Sequence, residues 1–329
     1  MNALSTLLLR REAGILAMIV LFCLAVGAAK PHFLTLDSLQ IILLLTPLIM
    51  IGAMGEMLVI VARHVDLSIG SILGLTAMAA GMMFRYHPEI WWPLGFALSI
   101  GLGALLGLFN GVLVTAFRLP AIIVTLGTLN LYRGVTFIMS DAKQIDRQYV
   151  PTALKEMSQS SPIFDIPWII LMSFGIALLT YGFAMHSRIG RQVFALGSNP
   201  TAAPLRGIDV TKVTLLVFTI SGALSGLAGI MYASRWGFVN PSNTGSGFEF
   251  QVIAAVVIGG VSINGGVGTV LGTVLGVLLL GCVAAALPLL GIPGTTQSAI
   301  YGAVILIALL IDRLVRRQGL RHGTARAVA

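Results

Sequence analysis

The chain has 329 residues, of which 57% are hydrophobic and only 10% charged, with a formal net charge of +8. A soluble domain carries about 25% charged residues, so two soluble domains of this composition would have almost no polar surface; a bilayer removes that need. The mean hydropathy of +0.96 agrees, and the basic excess fits cytoplasmic membrane loops better than a nucleic-acid partner.

The first element opens with Arg10-Arg11 and an apolar run to Ala29. Gly27-Ala28-Ala29 imitates a signal-peptidase site, but the spans that follow and the charge pattern below favour a retained first helix. Apolar length predicts ten spans near 13–29, 38–62, 68–84, 93–117, 121–139, 166–185, 213–234, 249–262, 267–287 and 298–312. The eighth is short and reads as tilted, broken or partly re-entrant. The stretch Phe250 to Ile311 holds no Asp, Glu, Lys or Arg over 62 residues. As one helix it would measure roughly 90 Å, about three hydrocarbon cores, so it folds back twice. The fold class expected is an all-α integral membrane protein of about ten transmembrane helices, a single transmembrane domain over 1–329.

With the N-terminus in the cytoplasm, thirteen Lys and Arg fall inside, six fall outside and Arg133 lies within a span. This bias and the even span number both place the two termini in the cytoplasm. Gly103, Gly107 and Gly111 form a stripe in span four, and Gly268, Gly272 and Gly276 form one in span nine. Small residues four apart let helix backbones approach closely in lipid. Leu-Gly-x-x-Leu-Gly occurs in both stripes, five spans apart in opposite directions, as an inverted five-helix repeat would leave it.

No nucleophile elbow, no zinc-protease motif and no Gly-x-x-x-x-Gly-Lys phosphate loop occurs; the chain lacks even a Gly-Lys pair. An ATP-driven process would therefore need a separate ATPase, and no cofactor is called for. The two cysteines, Cys23 and Cys282, sit in apolar runs and read as small core residues. The five histidines are scattered and suggest no metal cluster.

Glu56 in span two, Asp66 at the start of span three and Arg133 in span five are the intramembrane charges. Such charges face a bundle interior or a water-filled route, or else they snorkel to a span end. The longest inner loop, within 186–212, carries four basic residues. There Asn199-Pro200 can start a short helix over Thr201–Leu205, Pro204 limits it and Gly207 can end it, which makes a docking knob at the membrane surface.

Gly197-Ser-Asn-Pro-Thr-Ala-Ala-Pro-Leu-Arg-Gly-Ile resembles the coupling loop of sugar-importing ABC permeases of the ribose and branched-chain-amino-acid type. Ser221 to Gly229, Thr244 to Gly260 and Ser262 to Gly268 are similar to the same family. So are Val65-Asp-Leu-Ser-Ile-Gly-Ser71, Phe109-Asn-Gly111, Pro120 to Thr128 and Tyr132-Arg-Gly134. The resemblance covers nearly the whole chain. It departs at His64-Val65, where many relatives have Gly-Ile, and at Pro204, where a helix former is expected. It implies a non-enzymatic transport subunit of a bacterial inner-membrane importer. Its partners would be ABC ATPase subunits, a periplasmic sugar-binding protein and a second permease, identical or homologous, all set in membrane lipid. Coupling to the ATPase would fall to Gly197, Asn199, Ala202, Ala203, Arg206, Gly207 and Ile208. The pathway candidates are Glu56, Asp66, Asn110, Thr125, Thr128, Arg133 and Glu249. Lys143, Arg147 and Arg235 are candidates for receptor docking, although Asp141, Asp146 and Asp165 dilute their field. The stretch 126–134 is most similar to permeases for rhamnose and the autoinducer-2 sugar, with ribose close behind. The competing reading is an ion-coupled sugar carrier using Glu56 and Arg133.

Overall fold

A computed structural model describes residues 11–159 and 166–293, with isolated positions as far as 306. It is helical, and among the described residues the one β-type pairing is an isolated bridge between Ile145 and Val239. The membrane helices are α1 (Arg11–Ala29), α2 (Leu36–Leu45), α3 (Pro47–Val61), α4 (Ile69–Tyr86), α5 (Leu94–Ala116) and α6 (Ala121–Ser140). After the short outer α7 (Thr152–Glu156) come α8 (Trp168–His186), the surface helix α9 (Arg188–Ser198), α10 (Val210–Trp236), α11 (Phe248–Ile258) and α12 (Val270–Leu289). Among the described residues, seven helices are long and apolar enough to cross a bilayer; α2 and α3, bent by 45°, make an eighth crossing if counted as one span. Of the expected span at 298–312 only 299, 300, 302, 303 and 306 are described, all helical, and both chain termini lie outside the described residues.

Span two is therefore two helices. Pro47 lacks an N–H and sits at the first position of α3, and the Thr46 hydroxyl folds back onto the Leu43 carbonyl at 3.1 Å, so the ladder breaks between them. Span eight is broken as well. α11 has 11 residues, roughly 16 Å of helix, about half a hydrocarbon core. The other half of that crossing is the irregular segment 240–247.

α10, with 27 residues, runs through the centre against α3, α4 and α5. The first glycine stripe explains the closeness of α5 and α10. A Cβ on Gly103 would strike the Gly222 carbonyl and the Gly226 Cα, and a Cβ on Gly107 would strike the Phe218 carbonyl. In the second stripe Gly272 meets the carbonyl of Gly259, the cap of α11, Gly276 meets the carbonyl of Ala255 within α11, and Gly268 meets the Val261 side chain. Both stripes are packing surfaces, against non-corresponding neighbours: span four faces span seven, span nine faces span eight. Cys23 of α1 and Cys282 of α12, 259 residues apart in sequence, bring their Sγ atoms to 3.9 Å, both as free thiols.

At the outer end, Ile145 and Val239 exchange two backbone hydrogen bonds of 2.9 and 3.0 Å. The Ser158 hydroxyl reaches Ser234 at 2.7 Å, and Ser234 donates to the Leu154 carbonyl. The segment between α6 and α7 is thereby folded over the end of α10.

Candidate translocation and coupling sites

The chain from α3 to α4 turns back at Arg63, whose φ is +70°, and carries Asp66 into the interior. Asp66 Oδ1 accepts from the Ser68 N–H at 2.9 Å and the Ser68 hydroxyl at 2.6 Å, a local turn that an aspartate favours and that starts α4. The Asp66 N–H donates to Glu56 Oε1 of α3 at 3.1 Å, and the Ser221 hydroxyl of α10 stands 3.5 Å from Asp66 Oδ2. From Ser68 the chain of bonds continues. Its Oγ accepts from Asn110 Nδ2 of α5 at 2.7 Å, and Asn110 Oδ1 lies 2.9 Å from the Tyr132 hydroxyl of α6. Sequence reading found Glu56, Asp66 and Asn110; it missed Ser68, Tyr132 and Ser221, which complete the network. The Tyr132 side chain sits next to Arg133 in the motif already quoted, and only the helical register shows that it turns inward.

Every member of this network is buried, and Glu56 Oε2 has no hydrogen-bond partner. Buried polar groups in an apolar interior cost free energy unless paired, so the network rigidly joins α3, α4, α5, α6 and α10. Thr125 belongs to its edge: its hydroxyl reaches the Val65 carbonyl at 3.3 Å and the Ala121 carbonyl at 2.9 Å. Thr128 also borders the network: it bonds back to the Thr125 carbonyl at 3.4 Å, and its side chain hydrogen-bonds with the Tyr132 hydroxyl.

Arg133 and Glu249 form a second, separate group around the broken span. Arg133 Nη1 donates to the Thr244 carbonyl at 2.7 Å. Gly70 and Gly74 of α4 make room for this segment: a Cβ on Gly70 would strike Glu249 Oε2 and the Gly245 carbonyl, and one on Gly74 would lie 2.8 Å from the Thr244 carbonyl. Glu249 is buried with its Oε2 unpartnered. Arg133 attracts it electrostatically without closing to an ion pair; the ion pairs among the described residues, His87–Glu89, Lys143–Asp141 and Lys212–Asp209, are all exposed. The sequence placed all seven pathway candidates in one set, whereas the fold divides them into these two groups. None of the seven lines the cavity of about 630 Å³ that opens beside the broken span, between α2–α3, the outer end of α10, the segment 243–248 and the end of α12.

On the inner side the expected knob is present with a different shape. Asn199 Oδ1 accepts from the Ala202 N–H at 3.0 Å and the Thr201 hydroxyl at 2.7 Å, as a capping residue would. The regular helix expected over Thr201–Leu205 is replaced by a turn and a 3-10 segment, Pro204–Arg206, because Pro204 has no N–H to give. Gly207 closes it with φ +75°, a left-handed cap. Leu205 is 87% exposed at the tip while Ala203 is buried, so Leu205, absent from the sequence-derived set, is the apolar contact the knob offers. The amphipathic helix of this loop is α9. Ser187 caps it through the Gly190 N–H, Gly190, Val193, Leu196 and Gly197 face inward, and Arg188 and Arg191 face out. Gly197 sits directly on the Val61 carbonyl and beside the Gly266 N–H, which itself donates to that carbonyl at 2.9 Å. Arg63 Nε donates to the Asn264 carbonyl at 2.5 Å. The knob, the end of α3 and the turn 262–268 thus share one junction.

On the outer side Lys143 binds Asp141 at 2.6 Å, and that hydrogen bond and charge hold the Asp141 carboxyl below its ordinary value. Its field is locally cancelled. Arg235 lies over the Trp236 ring at 5.7 Å, and Arg147 lies on a 3-10 turn of the outer cover, its carbonyl accepting from Lys155 at 3.1 Å. Asp165 lies outside the described residues.

A bundle of membrane-crossing helices with a central glycine seam, two broken crossings and buried polar groups defines a multi-pass membrane permease. Residues 38–309 match the family model for the branched-chain amino acid transport system / permease component, and the chain belongs to this family. It is 39% identical over 326 residues, 98% of this chain and 92% of the relative, to the autoinducer 2 import system permease protein LsrC of Klebsiella pneumoniae subsp. pneumoniae. The proteins of the same description from an Enterobacter species and Yersinia enterocolitica are each 36% identical, covering 92% and 89% of their lengths and 98% and 97% of this chain. No solved structure matches.

Proposed function

We propose that this chain is the membrane-spanning subunit of an ATP-driven importer for a monosaccharide, and that the substrate is an autoinducer-2-like sugar. The observation that carries this is likeness along essentially the full chain to permeases whose names specify autoinducer 2 import. Rhamnose and ribose come behind it. The chain hydrolyses no ATP itself; ABC ATPase subunits dock from the cytoplasm on 197–208, with Leu205 and Arg206 at the contact. A periplasmic sugar-binding protein delivers substrate at the outer mouth. A second permease, identical or homologous, completes the pathway in the inner-membrane lipid, with both termini cytoplasmic.

The inner junction supports a route for the coupling. A push on the knob meets the Val61 carbonyl through Gly197 without an intervening side chain, and α3 carries Glu56 one and a half turns above that point. Displacing α3 therefore displaces the network that ties it to α4, α5 and α6.

The test is uptake of autoinducer 2 into proteoliposomes holding the permease, its ATPase and its receptor. ATP inside the vesicle should drive uptake, and a protonophore should leave it unchanged. Uptake that survives ATP depletion and collapses with the protonophore would establish the ion-coupled carrier instead. Combining Gly207→Val with Arg206→Glu strains the left-handed cap by roughly 1–2 kcal/mol and reverses the docking charge. This double variant should insert normally yet lose ATPase copurification and uptake; retention of both would remove 197–208 as the docking site.

A further inference from the structure

We infer that Cys23 of α1 and Cys282 of α12 form a redox-modification site: a peroxide joins them in a reversible disulfide that pins the first helix to the bundle and slows import. The cross-link follows from the geometry of the pair, while its effect on import rests on the importer reading.

The chain has two cysteines, and they meet each other. Their Sγ atoms stand 3.9 Å apart across 259 residues of sequence, and both are free thiols. The helices that carry them are held in this register. The Thr269 hydroxyl, at the start of α12, donates to Glu12 Oε1 in the first turn of α1 at 3.0 Å. From that bond Cys23 lies about 17 Å along α1 and Cys282 about 20 Å along α12, so both sulfurs arrive at one level. Val26 and Phe33 then pack with Cys282, Ala285 and Ala286 in one apolar cluster.

Bond formation draws the sulfurs roughly 2 Å closer than contact. α1 can make that movement. Only 17% of its crossing is buried in the protein, and it packs chiefly on α12 and on the turn Pro31–Leu34. α12 is held more firmly. Gly281, next to Cys282, lies against the Thr46 and Ile42 side chains, where α2 bends into α3. α12 also packs on α11, the helical half of the broken crossing. A tie at Cys282 therefore loads α1 onto the helix that any movement of the broken crossing must carry with it.

The surroundings select the chemistry. Among the described residues no group of three His, Cys, Asp or Glu occurs, whereas a structural zinc site takes four ligands. Two thiols alone suit oxidation. The pocket of Val26, Phe33, Ile42, Ala285 and Ala286 admits a small neutral peroxide and turns away charged reagents. Cys23, the less buried of the two, reacts first. Its sulfur attacks one peroxide oxygen, the O–O bond breaks, and a water leaves with the thiol proton, giving a sulfenic acid. The Cys282 sulfur then attacks the Cys23 sulfur, the S–O bond breaks, and the hydroxyl leaves with the Cys282 proton as a second water. Two thiols and one hydrogen peroxide become one disulfide and two waters. The sulfurs lose two electrons and the peroxide oxygens gain them.

The test uses the complete importer in proteoliposomes, treated with hydrogen peroxide. After blocking of free thiols and digestion without reductant, mass spectrometry should find the Cys23 and Cys282 peptides joined. Uptake of autoinducer 2 should fall about threefold or more as the pair closes. Dithiothreitol, neutral and able to enter the membrane, should restore it, and charged glutathione should restore little. Cys23→Ala and Cys282→Ala permeases, with the same ATPase and receptor, should keep their uptake through the same treatment. Thiols that stay free, or reach sulfinic acid without joining, would overturn the site. A joined pair with unchanged uptake would overturn the pinning, and so would equal loss of uptake in the alanine variants. Should an alanine variant fail to assemble, the cross-link in the unmodified protein and its recovery with dithiothreitol decide alone. Failure of the untreated complex to import with ATP would instead count against the importer reading, and the cross-link would still test the site.

Discussion

The α5–α10 seam and the broken eighth crossing solve the same problem, bringing two backbones together inside lipid, in opposite ways. Along the seam, both partners are unbroken helices whose own hydrogen bonds are complete, and glycines bring main chain onto main chain: Gly103 against Gly222 and Gly226, Gly107 against Phe218. Nothing there can slide without a clash, and no polar side chain is needed to hold it. At the broken crossing the approach of Gly245 to Gly70 is equally close, but the descending backbone has carbonyls to satisfy, and one of them, on Thr244, is held by Arg133. The seam is a fixed beam. The broken crossing is held by side-chain hydrogen bonds, Arg133 to the Thr244 carbonyl, Tyr232 with Thr244 and Asn240 to Gln144, which a conformational change can exchange.

Breaking the beam should have the largest effect. Gly107→Leu drives a side chain into the Phe218 carbonyl, an overpacking at or beyond the roughly 3 kcal/mol upper end of such costs, and detergent-extracted folded protein should fall to a small fraction of wild type. Gly127→Leu is the control within the same membrane, because a Cβ there meets nothing within 4 Å, and its yield should stay near normal. Equal yields for the two would show that the seam does not hold the fold.

Arg133→Gln sharpens the other side of the comparison. It removes a hydrogen bond to a charged donor, worth about 1.5–3 kcal/mol, while leaving α4, α6 and α10 packed. Folded yield should remain within about twofold of wild type by size-exclusion chromatography, and ATP-driven uptake should fall on the order of tenfold or more. A variant that transports normally would mean that Arg133 does not hold the descending segment in place during transport.

The smallest effect is expected at the surface. Arg235→Glu reverses a charge at the end of α10, the face proposed to meet the receptor, away from the packing of either region. Receptor-stimulated ATP hydrolysis should slow several-fold at low salt, and the difference should shrink as salt rises, because exposed charges are screened over about 10 Å at 0.1 M. Basal hydrolysis without receptor should be unchanged. Identical stimulation of mutant and wild type across a salt series would exclude a docking role for Arg235.

Residue order alone settled much of this protein. The charge-free stretch from Phe250 to Ile311 could exist only in lipid, the glycines four apart could serve only close helix contact, and the loop from Gly197 to Ile208 announced its cap at Asn199 and its stop at Gly207. Those are properties of composition, period and local backbone preference, and they act within a few residues of sequence. Other features depended on which helix stands beside which. Hydropathy cannot distinguish a full crossing from α11 plus an irregular descent, because Gly245 becomes tolerable at that depth only where Gly70 leaves room for it. The division of seven pathway candidates into two groups follows from hydrogen bonds such as Asn110 to Ser68, 42 residues apart, and Arg133 to Thr244, 111 residues apart. The cavity's unpaired Asn243, Ser246 and Gln251 are ordinary polar residues in sequence. Only the tertiary structure sets them around one open volume, because a residue's surroundings are a property of its neighbours and not of its own chemistry.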